Sequence, residues 1–137
     1  LNKKQNQQYF FDPIRQKQIL MTPEEAVRQQ TIALLVNDYK VPKGLISIEK
    51  KLELNGLTRR YDLLVHNNQG EPLMLIECKA PQISLSQSTI DQVARYNIVL
   101  RVPWLLVTNG SQIYCVRVDF EQETVKFESE IPLYEAM

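Results

Sequence analysis

The alternation of apolar and polar positions divides the chain into two helices and a series of short strands. Thr22-Pro23-Glu24-Glu25 supplies an N-cap threonine, a proline at the first helical position and a glutamate at the third, which is the signature of a capping box. The helix is expected over residues 23–39, with Ile32, Val36 and Tyr39 on its apolar stripe. A step of seven back from Ile32 places Glu25 on the same face at the amino end. Pro42 and Gly44 end it. Strands are predicted over residues 45–54, 60–66 and 72–79, joined by turns at Asn55-Gly56 and Asn67-Asn68-Gln69-Gly70, which favour antiparallel hairpins. Pro81 closes the third strand, and residues 86–100 read as a second helix with Ile90, Val93, Ala94 and Ile98 on one side. Residues 104–108 form a short, wholly apolar strand that turns at Asn109-Gly110 into residues 112–118. A strand, a helix and a second buried strand make a crossover unit, so 104–108 should run parallel to 72–79.

The expected class is therefore α/β (α+β), with core order αβββαβ, a trailing hairpin strand, and a mixed central sheet flanked by helices. Residues 1–21 mix Lys3, Lys4 and several glutamines with Tyr9, Phe10, Phe11 and Ile14. They are read as an extended arm anchored by aromatics, and residues 22–137 as a single domain. The formal net charge is zero, so any polyanion site must be local rather than a property of the whole surface. Lys50, Lys51, Arg59 and Arg60 flank one turn and are the candidate DNA-contacting group; a solvated hairpin edge explains them equally. Cys78 and Cys115 lie in apolar strands without partners at metal-ligand spacing and are expected as buried, reduced thiols. No apolar run approaches the roughly 18 residues of a transmembrane helix and the amino terminus is polar, so the expected location is the cytoplasm.

The chemistry concentrates at one strand end. Leu73-Met74-Leu75-Ile76 has the composition of a strand buried on both faces, yet it runs into Glu77-Cys78-Lys79. Residues i and i+2 share a face, which sets Glu77 beside Lys79, and a hairpin brings Asp62 opposite. Charges at the end of a core strand are costly unless something compensates them. Magnesium is bound by one or two carboxylates while retaining several waters, so Asp62 and Glu77, with the backbone carbonyl of Cys78 between them and Lys79, meet the needs of a Mg²⁺ (or Mn²⁺) site. Lys79 would orient or deprotonate an attacking water, or stabilise developing negative charge. The bland alternative is a structural ion cluster in which Lys79 pairs with a carboxylate. His66 is expected near a surface turn, and Trp104 in the core.

Asp62 followed by Glu77-Cys78-Lys79 resembles the PD-(D/E)xK nuclease motif, and the αβββαβ order matches that superfamily's restriction-endonuclease-like core. Thr22-Pro23-Glu24-Glu25 with Val27-Arg28-Gln29, Arg60-Tyr61-Asp62, Ile76-Glu77-Cys78-Lys79-Ala80-Pro81 and Thr108-Asn109-Gly110 resemble, more narrowly, the N-terminal nuclease domain of Type I restriction enzyme R proteins over about residues 20–120. The resemblance implies metal binding by Asp62 and Glu77, a catalytic Lys79, and a metal-shell contribution from a first-helix glutamate, matched best by Glu25, although capping also explains the Glu24-Glu25 pair. Gln92 and Tyr96 resemble the superfamily's Gln-x-x-x-Tyr element and take a catalytic supporting role, unless they are ordinary polar residues of a half-buried helix. Tyr61 stands where the motif has proline. The chain has no Gly-x-x-x-x-Gly-Lys-Ser/Thr loop, so no motor is expected in it.

The resemblance implies a Mg-dependent DNA endonuclease domain, with DNA and restriction-system subunits as partners. A homodimer would supply two active sites for a duplex. The alternative is a catalytically inactive nuclease-fold module for DNA binding or protein interaction.

Overall fold

A computed structural model describes residues 7–48, 51–54 and 56–137; the side chains of Leu52, Leu54 and Arg59 lie outside that description. The first helix, α1 (Pro23–Asn37), begins where the sequence places it: Thr22 caps it, its hydroxyl accepting the Glu25 N–H at 3.0 Å. Capping of this kind is worth about 1 kcal/mol. The second helix, α2 (Gln87–Leu100), is capped by Ser86 in the same way, through the Thr89 N–H.

Among the described residues ten strands accompany them: β1 (Tyr9–Asp12), β2 (Lys17–Leu20), β3 (Ile46–Ile48), β4 (Lys51–Leu54), β5 (Leu57–Arg60), β6 (Leu63–His66), β7 (Pro72–Cys78), β8 (Trp104–Thr108), β9 (Ile113–Asp119) and β10 (Thr124–Glu128). Six form the main sheet in the order β10-β9-β8-β7-β6-β3. The β7/β8 pair is parallel, with Ile76 level with Leu106 and Cys78 level with Thr108, as the crossover through α2 predicts. The other neighbours in this sheet are antiparallel, so the sheet is mixed.

Alternation along the central strands divides the core in two. Met74, Ile76 and Cys78 of β7 join Leu63, Val65 and Leu106 in the cluster that includes Val27, Ile32 and Leu35 of α1. Leu75 joins Leu64, Leu105, Val107 and Val116 in the cluster that includes Ile90, Ala94 and Leu100 of α2. Covering both faces explains why β7 and β8 read as continuous apolar runs. Trp104 belongs to the first cluster, as expected of a packing residue. Among the described residues no helix is long and apolar enough to cross a membrane.

Four expectations need correction. The arm is a folded hairpin, β1 paired with β2, and Tyr9 and Phe11 are exposed rather than serving as anchors. The strand expected over 45–54 is two pieces in different sheets, β3 and β4, and that over 60–66 breaks between β5 and β6 at Tyr61-Asp62. The second break goes with a tertiary contact to the neighbouring strand β7. An Asp62 carboxylate oxygen, Oδ2, accepts the backbone N–H of Cys78 at 2.7 Å, an example of a side chain competing with backbone for a ladder position. Finally, β10 adds an edge strand that the expected topology lacks.

Cys78 and Cys115 are buried and free. Burial pushes both thiols up to about 12; the Asp62 carboxylate adds to the effect at Cys78 and that of Glu128 at Cys115. Thiolate is the reactive form, so neither cysteine is expected to be alkylated by iodoacetamide at pH 7.5 until the protein is unfolded. Mass spectrometry before and after urea treatment checks this; rapid labelling of the folded protein would contradict it.

Candidate active site

The charges at the end of β7 converge on a cleft of about 390 Å³ lined by Glu24, Arg60, Tyr61, Asp62, Glu77 and Lys79. Glu77 is the penultimate residue of β7, and its backbone is level with Val107 of β8. Lys79 follows the strand, its N–H donating to the Thr108 carbonyl at 2.8 Å. The loop beyond is fixed by the next residue on, the buried Asn109, which donates through Nδ2 to the Ile83 carbonyl at 2.8 Å. Gly110, at φ +98°, makes the turn possible; a Cβ there would lie 3.4 Å from Val27. The strand end carrying Glu77 and Lys79 is thus held by Thr108 and Asn109 at the end of β8.

Asp62 reaches the same point from the break between β5 and β6. One step beyond the Leu63–Ile76 pair brings it level with Glu77. Its side chain retains 18% exposure. Oδ2 is held by the Cys78 N–H and Oδ1 faces Arg28 Nη2 at 3.3 Å. Each carboxylate oxygen has two acceptor positions, so these contacts orient Asp62 without exhausting it. Preceding it, Tyr61 is buried and bonds through its hydroxyl to Ser47 Oγ at 2.9 Å, and Ser47 Oγ in turn meets His66 Nε2 at 3.0 Å. Burial holds the Tyr61 phenol above its ordinary range, against the opposing Ser47 hydrogen bond.

The remaining expected residues divide. Arg60 lines the cleft, and Lys51, exposed, is its cross-strand partner. Lys50 and Asn55 lie outside the described residues, as does the Arg59 side chain. Gln92 is exposed and Tyr96 half-buried, and neither lines the cleft. Tyr96 instead donates its hydroxyl to the Thr58 carbonyl of β5 at 3.0 Å. It ties α2 to the hairpin that bears Arg60, a supporting position rather than a substrate-facing one.

Glu25, matched to a metal-shell role by the resemblance, is not among the residues lining the cleft. It is 4% exposed, and its Oε1 accepts from both Arg15 Nη2 and Arg28 Nη1 at 2.7 Å. Two guanidinium groups hold it behind the cleft, and the first-helix acid lining the cleft is Glu24. Neither arginine was marked from the sequence as a site residue. The available signal was Arg28, three residues beyond Glu25 and so on the same face of the helix.

The donor set can be judged against a metal. Among the described residues no group of three or more His, Cys, Asp or Glu side chains is placed to hold an ion. The cleft offers three carboxylates, Asp62 and Glu77 near the Cys78 backbone and Glu24 from α1. These are hard oxygen donors, few in number, which suits a cation that keeps most of its water, as magnesium does. Soft or multi-ligand metals do not fit this set.

A model of the Type I restriction enzyme R protein N terminus matches residues 23–132. The chain belongs to that family. Two solved structures share the fold of this R protein N-terminal domain. One is a candidate nuclease of the DUF820 group from Anabaena variabilis ATCC 29413, with TM-score 0.54 and 13% identity over 93% of this chain and 82% of its own. The other is a fragment of a candidate HsdR subunit of a type I restriction enzyme from Vibrio vulnificus YJ016, with TM-score 0.53 and 17% identity over 84% of this chain. The R protein N-terminal domain described here covers 25% of that Vibrio chain. No curated protein matches the chain.

Proposed function

We propose that this R protein N-terminal domain is a divalent-metal-dependent DNA endonuclease that hydrolyses phosphodiester bonds. The observation that carries the reading is the convergence of Asp62, Glu77 and Lys79 from two strand ends in one polar cleft. Asp62 and Glu77 would hold Mg²⁺ or Mn²⁺ with the Cys78 carbonyl, and Glu24 adds a further carboxylate at the rim. When bound, such an ion supplies Lewis-acid polarisation of a phosphate oxygen and a lowered pKa for water. Lys79 lines the same space, where its ammonium can orient the attacking water or meet negative charge as it develops on the phosphate oxygens and the leaving oxygen. Arg60 is placed at the wall to meet a backbone phosphate, a contact that positions DNA without reading its sequence.

DNA recognition and translocation would then come from other parts or subunits of a restriction system, since this chain has no phosphate-binding loop of the motor type. Pairing of two such domains would cut both strands of a duplex. The decisive test incubates supercoiled plasmid with the purified protein in Mg²⁺, Mn²⁺ or chelator, alongside melting curves in the same ions. Metal-dependent nicking is expected, with a melting temperature that rises with ion concentration as binding to the native state requires. Stabilisation by ions without cleavage would favour the inactive binding module; the absence of both would remove the metal site altogether.

A further inference from the structure

The nuclease reading leaves unused a string of charge buried behind the cleft. It starts in the N-terminal hairpin, outside the segment that the family model matches. Asp12, 0% exposed, is clasped by its own turn: Oδ1 accepts the N–H groups of Ile14 at 2.8 Å and Arg15 at 3.1 Å. Its Oδ2 accepts from Arg15 Nε at 2.7 Å and Gln29 Nε2 at 3.1 Å. Burial alone would raise the Asp12 carboxyl, but the Arg15 side chain and the two backbone donors outweigh it and hold the group below its ordinary value. Arg15 then passes to Glu25, Glu25 to Arg28, and Arg28 to Asp62. Carboxylate and guanidinium alternate from the hairpin, through α1, to the oxygen of a cleft residue.

Such a string is an expensive way to hold a fold together. Buried ion pairs are commonly replaceable by apolar residues of similar size without loss of stability. What they do supply is fixed geometry. A planar guanidinium held at one end by Glu25 has little freedom at the other. Asp62 therefore has Oδ2 set by β7 and Oδ1 set by α1, so two elements determine the plane of its carboxylate.

We propose that Arg28 is a positioning residue for Asp62, and that Arg15 of the hairpin completes the support by fixing Glu25. The inference rests on the metal-nuclease reading of the cleft and adds residues to it that do not themselves line the cleft.

The test measures plasmid cleavage as a function of Mn²⁺ for wild type, Arg28→Lys and Arg15→Gln, with the Mn²⁺-induced rise in melting temperature as a second readout. A lysine cannot reach Glu25 and Asp62 together. Arg28→Lys is expected to raise the Mn²⁺ concentration for half-maximal cleavage, and to lower kcat, by about tenfold or more, the usual scale for loss of a group that orients a metal ligand, while KM for DNA stays put. Arg15→Gln, at the end of the string with 16% side-chain exposure, should move both quantities in the same direction by less, and it carries the test should Arg28→Lys fail to fold. Variants that melt earlier but keep wild-type Mn²⁺ dependence and kcat would reduce the string to a structural role and overturn the proposal. Wild type that neither cleaves nor is stabilised by Mn²⁺ would instead overturn the nuclease reading, and the proposal with it.

Discussion

Lys79→Ala is expected to lower metal-dependent cleavage by roughly a hundred- to ten-thousand-fold, the range associated with a positioned proton-transfer or charge-stabilising group, while leaving the fold intact. The separation is possible because the structural work at this position is done by the backbone. It is the Lys79 N–H that bonds to Thr108, whatever the side chain, and the half-buried residue lines the cleft. Single-turnover cleavage of a labelled duplex at saturating Mn²⁺ isolates the chemical step from binding. Unchanged DNA affinity with the rate lost would assign Lys79 to the reaction. A rate within a few fold of wild type would remove it from the mechanism and leave Arg60 as the cation to test next.

The largest stability effect is expected from Ile76→Ala. Ile76 is 0% exposed in the centre of β7, between Leu63 of β6 and Leu106 of β8. Truncation removes methyl groups from a place enclosed by sheet neighbours and by the cluster under α1, where collapse around the gap is restricted. Losses of about 2–5 kcal/mol are typical of such sites, a large share of the roughly 5–15 kcal/mol available to a domain. Urea titration followed by circular dichroism should show a lower midpoint with an unchanged slope. A loss below about 1 kcal/mol would mean that the sheet interior is plastic. Because Ile76 adjoins Glu77, the same variant should also weaken ion-induced stabilisation.

The elements with strong local signals were legible before the structure. Thr22-Pro23 and Ser86 marked both helix starts, and the uninterrupted apolar run Trp104 to Thr108 announced a buried strand parallel to β7. Asp62, Glu77 and Lys79 were legible for the same reason: charges at the end of a core strand contradict its hydrophobic pattern. The misreadings arose where tertiary contacts decide. Nothing in the hydrophobic pattern of residues 60–66 says that Asp62 will take the Cys78 N–H and break the strand. Likewise, Asp12-Pro13-Ile14-Arg15 gives no local sign that its turn will be held by an ion pair to α1. The metal-shell role for Glu25 comes from the resemblance alone; periodicity gives the face a residue occupies and not its partner, and Arg15 and Arg28 take its carboxylate. The strand at Thr124–Glu128 carried a signal that went unread, since Val125 and Phe127 alternate with polar neighbours.

The break at Tyr61-Asp62 separates β4 and β5 from the main sheet, leaving a two-stranded unit of its own. One side of the cleft is consequently built like an anvil, on a strand embedded in the domain's interior. The other, bearing Arg60, is mounted like a jaw on a small hairpin that meets α2 through the Tyr96–Thr58 hydrogen bond and packs Leu57 against the core. An isolated pair of strands contributes little rigidity of its own. In the proposed nuclease such a jaw would let Arg60 shift while Glu77 and Lys79 keep their spacing on the anvil.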